Sequence, residues 1–458
     1  MIRILFIPVG SLTLLISEII LITASFVLAS FLVLQVDPTD YLLYDGGLMR
    51  ILPVLLCILL GMYFHDLYSG FFVKSRILLA QQLCLVMGSA FLLQGMISYV
   101  NRALRMPVRV MVVGSFLSML LMYVWRVAYS GYAVRAVGRE RLLLVGSSPV
   151  LADIAEHVAE NPEKGIVVTG YVEGPDEPAP GVKVLGPLAA LREIVAATRP
   201  DRIVVGMFER RNRLPMGDLL ELRFAGHIIE EAATAYERVC SRVCVKELRP
   251  SQLIYSGELG PRRQILTLQR LSHLALSAIG LILASPLMLL AALAVRLSSP
   301  GPVLYRQKRV GRDGVPFTLY KFRSMREGAE AETGAVWAAR DDPRATGVGR
   351  FLRRFRLDEM PQLFNVLKGE MSIVGPRPER PEFVHELCEQ IPYYRQRHCV
   401  RPGITGWAQI NYKYGDTLED AVTKLEYDLY YIKNMSMSLD TYVILHTIRA
   451  MVMSRGAQ

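Results

Sequence analysis

Two neighbouring carboxylates, Asp358 and Glu359, stand in the stretch Leu357-Asp358-Glu359-Met360-Pro361-Gln362. An acidic pair alone is an ordinary helix start, where negative charge favours the helix dipole. The company is not ordinary: Lys321 and Arg323 precede the pair, followed by Arg340, Arg344, Arg350, Arg353, Arg354 and Arg356. That is more positive charge than solubility requires, and the forked donors of arginine match phosphate oxygens. Arg377 follows between Pro376 and Pro378, and flanking prolines lower the entropy lost when it grips such a group. Successive helical residues diverge by about 100°, so the two carboxylates do not serve one atom and divide into a nucleophile and a metal ligand. Between Arg397 and Gln409, Gly403, Gly406 and Trp407 lie beside further basic groups. A flexible backbone near an aromatic face suits a base or a sugar.

The elements that must position these residues begin with apolar helices. The 458 residues are 52% hydrophobic with a mean hydropathy of +0.29, too apolar for an ordinary soluble multidomain protein. Residues 12–33, 48–64, 79–100 and 108–129 have the length and composition of membrane spans. Asp37, Asp40 and Asp45 after the first span and Lys74 and Arg76 after the second suit an outside-then-inside order, with both ends cytoplasmic. Arg102, Arg105 and Arg109 in the third loop depart from that pattern. The net charge of +10 does not indicate nucleic acid, because the basic residues flank apolar runs and turns, where they meet headgroups or phosphorylated ligands. Six scattered cysteines form no disulfide or zinc framework.

From Arg141 the pattern turns to α/β. Strands are expected over 142–145, 166–172, 182–185 and 203–205, with helices opening near Pro149 and Pro187, which suggests a small Rossmann-like parallel sheet. Gly146 is the lone glycine of the first strand-to-helix turn, so a dinucleotide fingerprint is missing and a regulatory or oligomerisation module is favoured over a cofactor site. Residues 271–295 are apolar again, flanked by Arg270 and Arg296. A single crossing there would separate the last domain from the α/β block. Ser285-Pro286 sits near the middle, where proline removes a backbone donor and the serine hydroxyl can satisfy a freed carbonyl; the run is either a proline-kinked span or a segment that enters and returns. Ser299-Pro300-Gly301-Pro302 forms a rigid exit, and strands over 303–307 and 317–322 about the turn Gly311-Arg312-Asp313-Gly314 make a hairpin with Lys321 and Arg323 at its end.

The blocks 299–311, 321–325, 358–369, 371–377 and 401–409, in that order, resemble the catalytic domain of the bacterial sugar transferases, the monotopic phosphoglycosyl transferases that charge polyprenyl phosphate with a sugar-1-phosphate. The helical front and α/β insert are similar to larger members that start exopolysaccharide or O-antigen repeat units, and 334–349 resembles an exopolysaccharide-associated subgroup. The resemblance implies Asp358 as nucleophile, Glu359 as a ligand of Mg²⁺, Arg353 and Arg377 as phosphate contacts, and Ser285-Pro286 as the break of a re-entrant helix over 271–296. It further implies a nucleotide-sugar donor, with glucose or galactose on a uridine carrier, and a polyprenyl phosphate acceptor. The family's Lys-Arg-x-Phe-Asp before the membrane helix is here Gln269-Arg270-Leu271-Ser272-His273, and Met360 replaces a commoner leucine. The expected architecture is an α/β membrane protein: a four-helix transmembrane region (1–135), a Rossmann-like α/β module (136–255) and an α/β catalytic domain (256–458). It is expected in a bacterial inner membrane among lipids, as a homodimer, catalytic domain toward the cytoplasm, with no nucleic-acid partner. The rivals are a membrane-anchored nucleotide-sugar dehydratase, which needs a glycine-rich loop and a Tyr-x-x-x-Lys pair that are not evident, and an inactive assembly scaffold, which the intact Asp358, Glu359, Arg353 and Arg377 oppose.

Overall fold

The computed structural model describes residues 3–4, 7–64, 67–68, 76–136, 140–207, 215–248, 263–326, 344–412, 415 and 417–452. Lys74, Arg340 and most of 334–349 lie outside them. The contacts divide the chain into two compact units, Met1–Ser147 with Ala155–Ile229, and Ser148–Ile154 with Glu230–Gln458.

The first unit opens with apolar helices α1 (Val9–Val33), α2 (Gly47–Phe64), α3 (Arg76–Val100) and α4 (Val108–Ala136). Thr13–Val33, Leu79–Val100 and Val108–Tyr129 are long and apolar enough to cross a membrane; Gly47–Tyr63, expected as the second span, is a shorter apolar helix with Pro53 inside it. Ile22, Phe26, Val54, Ile58, Leu83 and Val86 fill the core between the helices. The α1–α4 contact also carries buried charge: Arg126 forms a two-point ion pair with Glu18, at 2.6 and 3.3 Å, and donates to the Leu67 carbonyl. Away from water an ionised side chain needs such a partner.

Strands β1 (Glu140–Gly146), β2 (Ile166–Glu173), β3 (Val184–Gly186), β4 (Arg202–Val205) and β5 (Ile228–Glu231) form one sheet in the order β3-β2-β1-β4-β5. The β1–β2, β1–β4 and β2–β3 pairings are parallel. Helices α5 (Pro149–Glu160), α6 (Leu191–Thr198) and α7 (Met216–Phe224) intervene. Leu142 to Val145 are fully buried, as a strand covered on both faces demands. The four expected strands are all present; β5 carries no strand signal in the sequence, because Ile228-Ile229-Glu230-Glu231 is short and half charged. Gly146 has φ +110°, and a Cβ there would lie 2.1 Å from the Gly206 carbonyl oxygen, so strand packing alone requires the glycine.

The second unit starts in sequence order with Ser148–Ile154 and helix α8 (Ala232–Cys240). Within this unit Tyr236 of α8 and Val245 beyond it meet Glu426, which is buried. Its carboxylate accepts from the Tyr236 hydroxyl at 2.8 Å and the Val245 amide at 3.0 Å. Helix α9 (Arg263–Ser298) is a single 36-residue helix, about 54 Å at 1.5 Å per residue. Helical structure continues through Ser285 and Pro286, and the Ser285 hydroxyl donates to the Ile282 carbonyl at 2.8 Å. The pair is therefore not a gap between two helices: the lost proline donor is absorbed inside a continuous one. Ile282, Leu283, Leu289, Leu290 and Leu293 are exposed along α9, an apolar face suited to lipid. Gln264–Ser298 is long and apolar enough to cross a membrane.

The remaining elements form a small α/β body. Hairpin β6 (Leu304–Val310) and β7 (Pro316–Phe322) pairs in the register Leu304↔Phe322 to Val310↔Pro316. Helices α10 (Gly347–Arg354) and α11 (Gln362–Leu367) flank the acidic pair. Strand β8 (Ser372–Val374) pairs in parallel with β9 (Gly403–Thr405). Helix α12 (Pro381–Gln390) lies between them in sequence, and α13 (Leu418–Lys433) and α14 (Met437–Val452) end the described chain.

Candidate active site

Ala291 and Val295 near the end of α9 pack with Phe322 of β7 and Leu352 of α10, and Leu357 and Met360 lie against this cluster. The apolar helix thus supports the residues on either side of Asp358 and Glu359. Arg356 turns the chain from α10 into the acidic pair with φ +54°, a left-handed conformation that costs an arginine of order 1 kcal/mol. The turn that follows, Leu357–Glu359, is a 3₁₀ helix and not the α-helix assumed from sequence. Its tighter winding separates successive side chains by about 120°, so divergence of the two carboxylates holds, by a slightly wider angle.

Both carboxylates are buried, with residue exposures of 7% for Asp358 and 8% for Glu359, but their surroundings differ. Glu359 Oε1 accepts from Lys321 Nζ and from an Arg377 terminal nitrogen, each at 3.0 Å. Burial alone would raise its pKa; Lys321, Arg377 and Arg356 outweigh that and hold Glu359 well below the ordinary carboxylate range. Asp358 accepts no hydrogen bond among the described residues. Burial, reinforced by the Glu359 charge, lifts its carboxyl above the ordinary value, against the pull of Lys321, Arg353 and Arg377. One carboxylate is locked as an anion by two cations; the other is desolvated and unengaged.

The basic residues expected around the pair separate into two groups. Lys321 and Arg377 reach Glu359 directly, and Arg353 acts on Asp358 through its charge while its Nε donates to Ser324 Oγ at 2.8 Å. Arg323 is turned away: its terminal nitrogens donate to the Pro300 and Ser299 carbonyls at 2.7 Å each and to Ser299 Oγ at 3.0 Å. It fixes the exit of α9. Trp407 likewise does not offer an open platform. Its ring stacks on Tyr430 with centroids 5.7 Å apart, and its Nε1 donates to the Ser241 carbonyl. Gly403 is small because a Cβ there would meet the Gly375 nitrogen at 2.2 Å; the glycine serves the close β8–β9 approach.

Several supporting residues escaped the sequence reading. Asn365, fully buried in α11, accepts from the Tyr320 amide and donates to the Thr318 carbonyl and to Glu370, fixing the segment after the acidic pair onto β7. A mid-helix asparagine among Leu363, Phe364, Val366 and Leu367 was the available signal. Gln269 and His273, where the sequence departs from the family pattern, join one buried cluster. Gln269 donates to Tyr431 and Asp440, and His273 contacts Ser372 Oγ and lies 3.4 Å from Asp440. No group of three or more His, Cys, Asp or Glu side chains suited to a metal occurs among the described residues.

Fold and site together define a membrane-associated α/β protein with a buried, unequal carboxylate pair in a basic, anion-receiving setting. A family model for bacterial sugar transferases matches residues 264–454. The chain is 44% identical over 222 residues to the UDP-N-acetylgalactosamine-undecaprenyl-phosphate N-acetylgalactosaminephosphotransferase of Aeromonas hydrophila, across 48% of this chain and 52% of that protein. It is 35% identical over 332 residues to the UDP-glucose:undecaprenyl-phosphate glucose-1-phosphate transferase of Xanthomonas campestris pv. campestris, across 68% of this chain and 66% of that protein. It is also 40% identical over 190 residues to the exopolysaccharide production protein PSS of Rhizobium leguminosarum bv. phaseoli, across 40% of this chain and 94% of that protein. The chain belongs to the bacterial sugar transferase family.

Proposed function

We propose that this protein transfers a hexose-1-phosphate from a UDP-sugar to undecaprenyl phosphate, the first step of an exopolysaccharide, capsule or O-antigen. The observation that carries the reading is the asymmetry of the acidic pair: Asp358 is buried without a hydrogen bond, while Glu359 is held by Lys321 and Arg377. Asp358 attacks the phosphorus bearing the sugar, forming an Oδ–P bond as the bridging P–O bond breaks and UMP leaves. An oxygen of undecaprenyl phosphate then attacks the same phosphorus, and the Asp358–phosphorus bond breaks to restore the carboxylate. Arg353, Arg377 and Lys321 offset charge that would otherwise repel an anionic nucleophile from an anionic donor.

Mg²⁺ is compatible with this donor set, since it needs only one or two carboxylates beside phosphate oxygens and water. Glu359 Oε2 has no donor among the described residues, and with Asp358 beside it these are the oxygens available to the ion. Bound there, Mg²⁺ would neutralise pyrophosphate charge. The relatives' names divide between glucose and N-acetylgalactosamine; glucose or galactose is the sugar proposed here. The catalytic unit works on the cytoplasmic side of the inner membrane, with α9 bending at Pro286 to enter and return. The parallel sheet serves as a Rossmann-like regulatory or dimerisation module.

The test is labelling of the protein by UDP-glucose and UDP-galactose carrying a radioactive β-phosphate. Wild type takes up label and Asp358→Asn does not; label retained by Asp358→Asn removes Asp358 as nucleophile. Cysteine accessibility at positions 270 and 296 tests the topology, and exposure on opposite faces of the membrane rules out the re-entrant passage.

A further inference from the structure

Arg377 presents its guanidinium to Glu359 from a segment whose two prolines have no amide hydrogen to donate, so its backbone is held through carbonyls alone at those positions. Four consecutive carbonyls are engaged. Pro376 accepts from the Gly403 amide at 2.9 Å, Arg377 from an Arg397 terminal nitrogen at 3.1 Å, Pro378 from Arg309 at 3.0 Å and Glu379 from the Val310 amide at 2.9 Å. Of the two side chains among these donors, Arg397 grips the arginine itself. It is buried, with side-chain exposures of 5% for Arg397 and 2% for its partner Asp428. Asp428 Oδ2 accepts from its Nε at 3.0 Å and its terminal nitrogen at 2.7 Å, and the Tyr394 hydroxyl accepts from the other terminal nitrogen at 2.5 Å. A buried ion pair is weak grounds for stability, since desolvation offsets much of the attraction. Holding one backbone oxygen in place is a use that an apolar pair could not replace.

We propose that Arg397, Asp428 and Tyr394 are positioning residues for the transfer reaction: they fix the Arg377 backbone so that its guanidinium meets Glu359 and the donor pyrophosphate in one orientation. This rests on the reading of Arg377 as a phosphate contact. None of the three touches the acidic pair through a contact of its own; their effect runs through Arg377, as the supporting shell of a site acts through its ligands.

A double-mutant cycle on the full-length protein in lipid nanodiscs tests this, using UMP release from UDP-glucose or UDP-galactose, whichever labels the wild type, with undecaprenyl phosphate and Mg²⁺. Asp428→Asn is expected to raise KM for the nucleotide sugar and lower kcat/KM by about 10- to 100-fold. In an Arg377→Ala background the same change should alter kcat/KM by less than about twofold. An equal loss in both backgrounds overturns the proposal, because the pair would then act elsewhere. Where Asp428→Asn does not fold, Tyr394→Phe keeps the ion pair and removes one acceptor; the cycle is repeated with it, and either wild-type kinetics or an additive loss overturns the proposal. An Arg377→Ala protein as active as wild type would instead sink the phosphate-contact reading, an outcome separable from failure of the positioning pair.

Discussion

The parallel sheet and the C-terminal catalytic unit fill their interiors with opposite kinds of side chain. Leu143 and Val145 of β1, Val172 of β2 and Ile203 of β4 join Leu191 and Val195 of α6 in one apolar cluster. The catalytic unit buries Asp358, Glu359, Arg397, Glu426, Asp428 and Asp440 beside its apolar clusters. The first interior gains free energy from area removed from water, at about 25 cal/mol per Å². The second must balance desolvation against pairing group by group, which makes sense only where charge is needed at a fixed point. The difference separates an interior filled by apolar area alone from one that holds charge at fixed points.

The sharpest way to break that comparison is Asp358→Asn. Turnover should fall on the order of 10⁴-fold or more, about 5 kcal/mol, while the melting temperature stays level or rises, because an unengaged buried carboxylate is removed. Glu359→Gln should lose activity and also lower the melting temperature, since Lys321 and Arg377 lose their anion. If both variants are destabilised alike, the asymmetry of the pair is wrong. Next in size is Arg397→Met, expected to cost about 3–5 kcal/mol in denaturant unfolding because Asp428 is left buried and unpaired.

Legibility in the sequence follows the same division. Leu142 to Val145 announced a buried strand through composition alone, and the hairpin through its Gly311–Gly314 turn, because short-range rules govern both. Asp358, Glu359, Lys321 and Arg377 were legible as a set through their types and order. Arg323 and Trp407 were not separable from Lys321 and Arg377, because whether a basic side chain faces the Glu359 carboxylate or the Ser299 and Pro300 carbonyls is decided by tertiary packing. Asn365 showed only as a mid-helix asparagine and Arg397 not at all, because the contacts that give them a role, Asn365 with Thr318 and Arg397 with Arg377, span 47 and 20 residues. Nor could periodicity show that Val245 and Tyr236 meet Glu426, from which they are 181 and 190 residues distant.

Within the sheet, Leu143→Ala should cost about 2–5 kcal/mol through the lost transfer energy and the cavity left behind. Labelling per folded molecule should stay unchanged. A catalytic defect in the folded fraction would mean the sheet acts on the transfer step itself.

The smallest expected effect sits on the helix that carries Glu426 and Asp428. At the exposed start of α13, Thr417 Oγ1 accepts from the Asp420 amide at 3.1 Å, and Asp420 accepts from the Thr417 amide at 2.8 Å, a capping box. The Tyr412 hydroxyl, at 2.6 Å, is the largest of the contacts that hold the Asp420 carboxyl down to about 2. A depressed folded-state pKa stabilises above the unfolded value of 3.8 and loses that contribution as pH falls through about 2. Thr417→Ala should therefore cost about 1 kcal/mol at pH 7. Asp420→Asn should lower stability at pH 7, and its difference from wild type should shrink between pH 4 and pH 2. Urea unfolding across that range measures the closing gap. A gap for Asp420→Asn that does not narrow would mean the cap works without its charge. The helix would then carry useful charge only in its buried middle, where Asp428 meets Arg397.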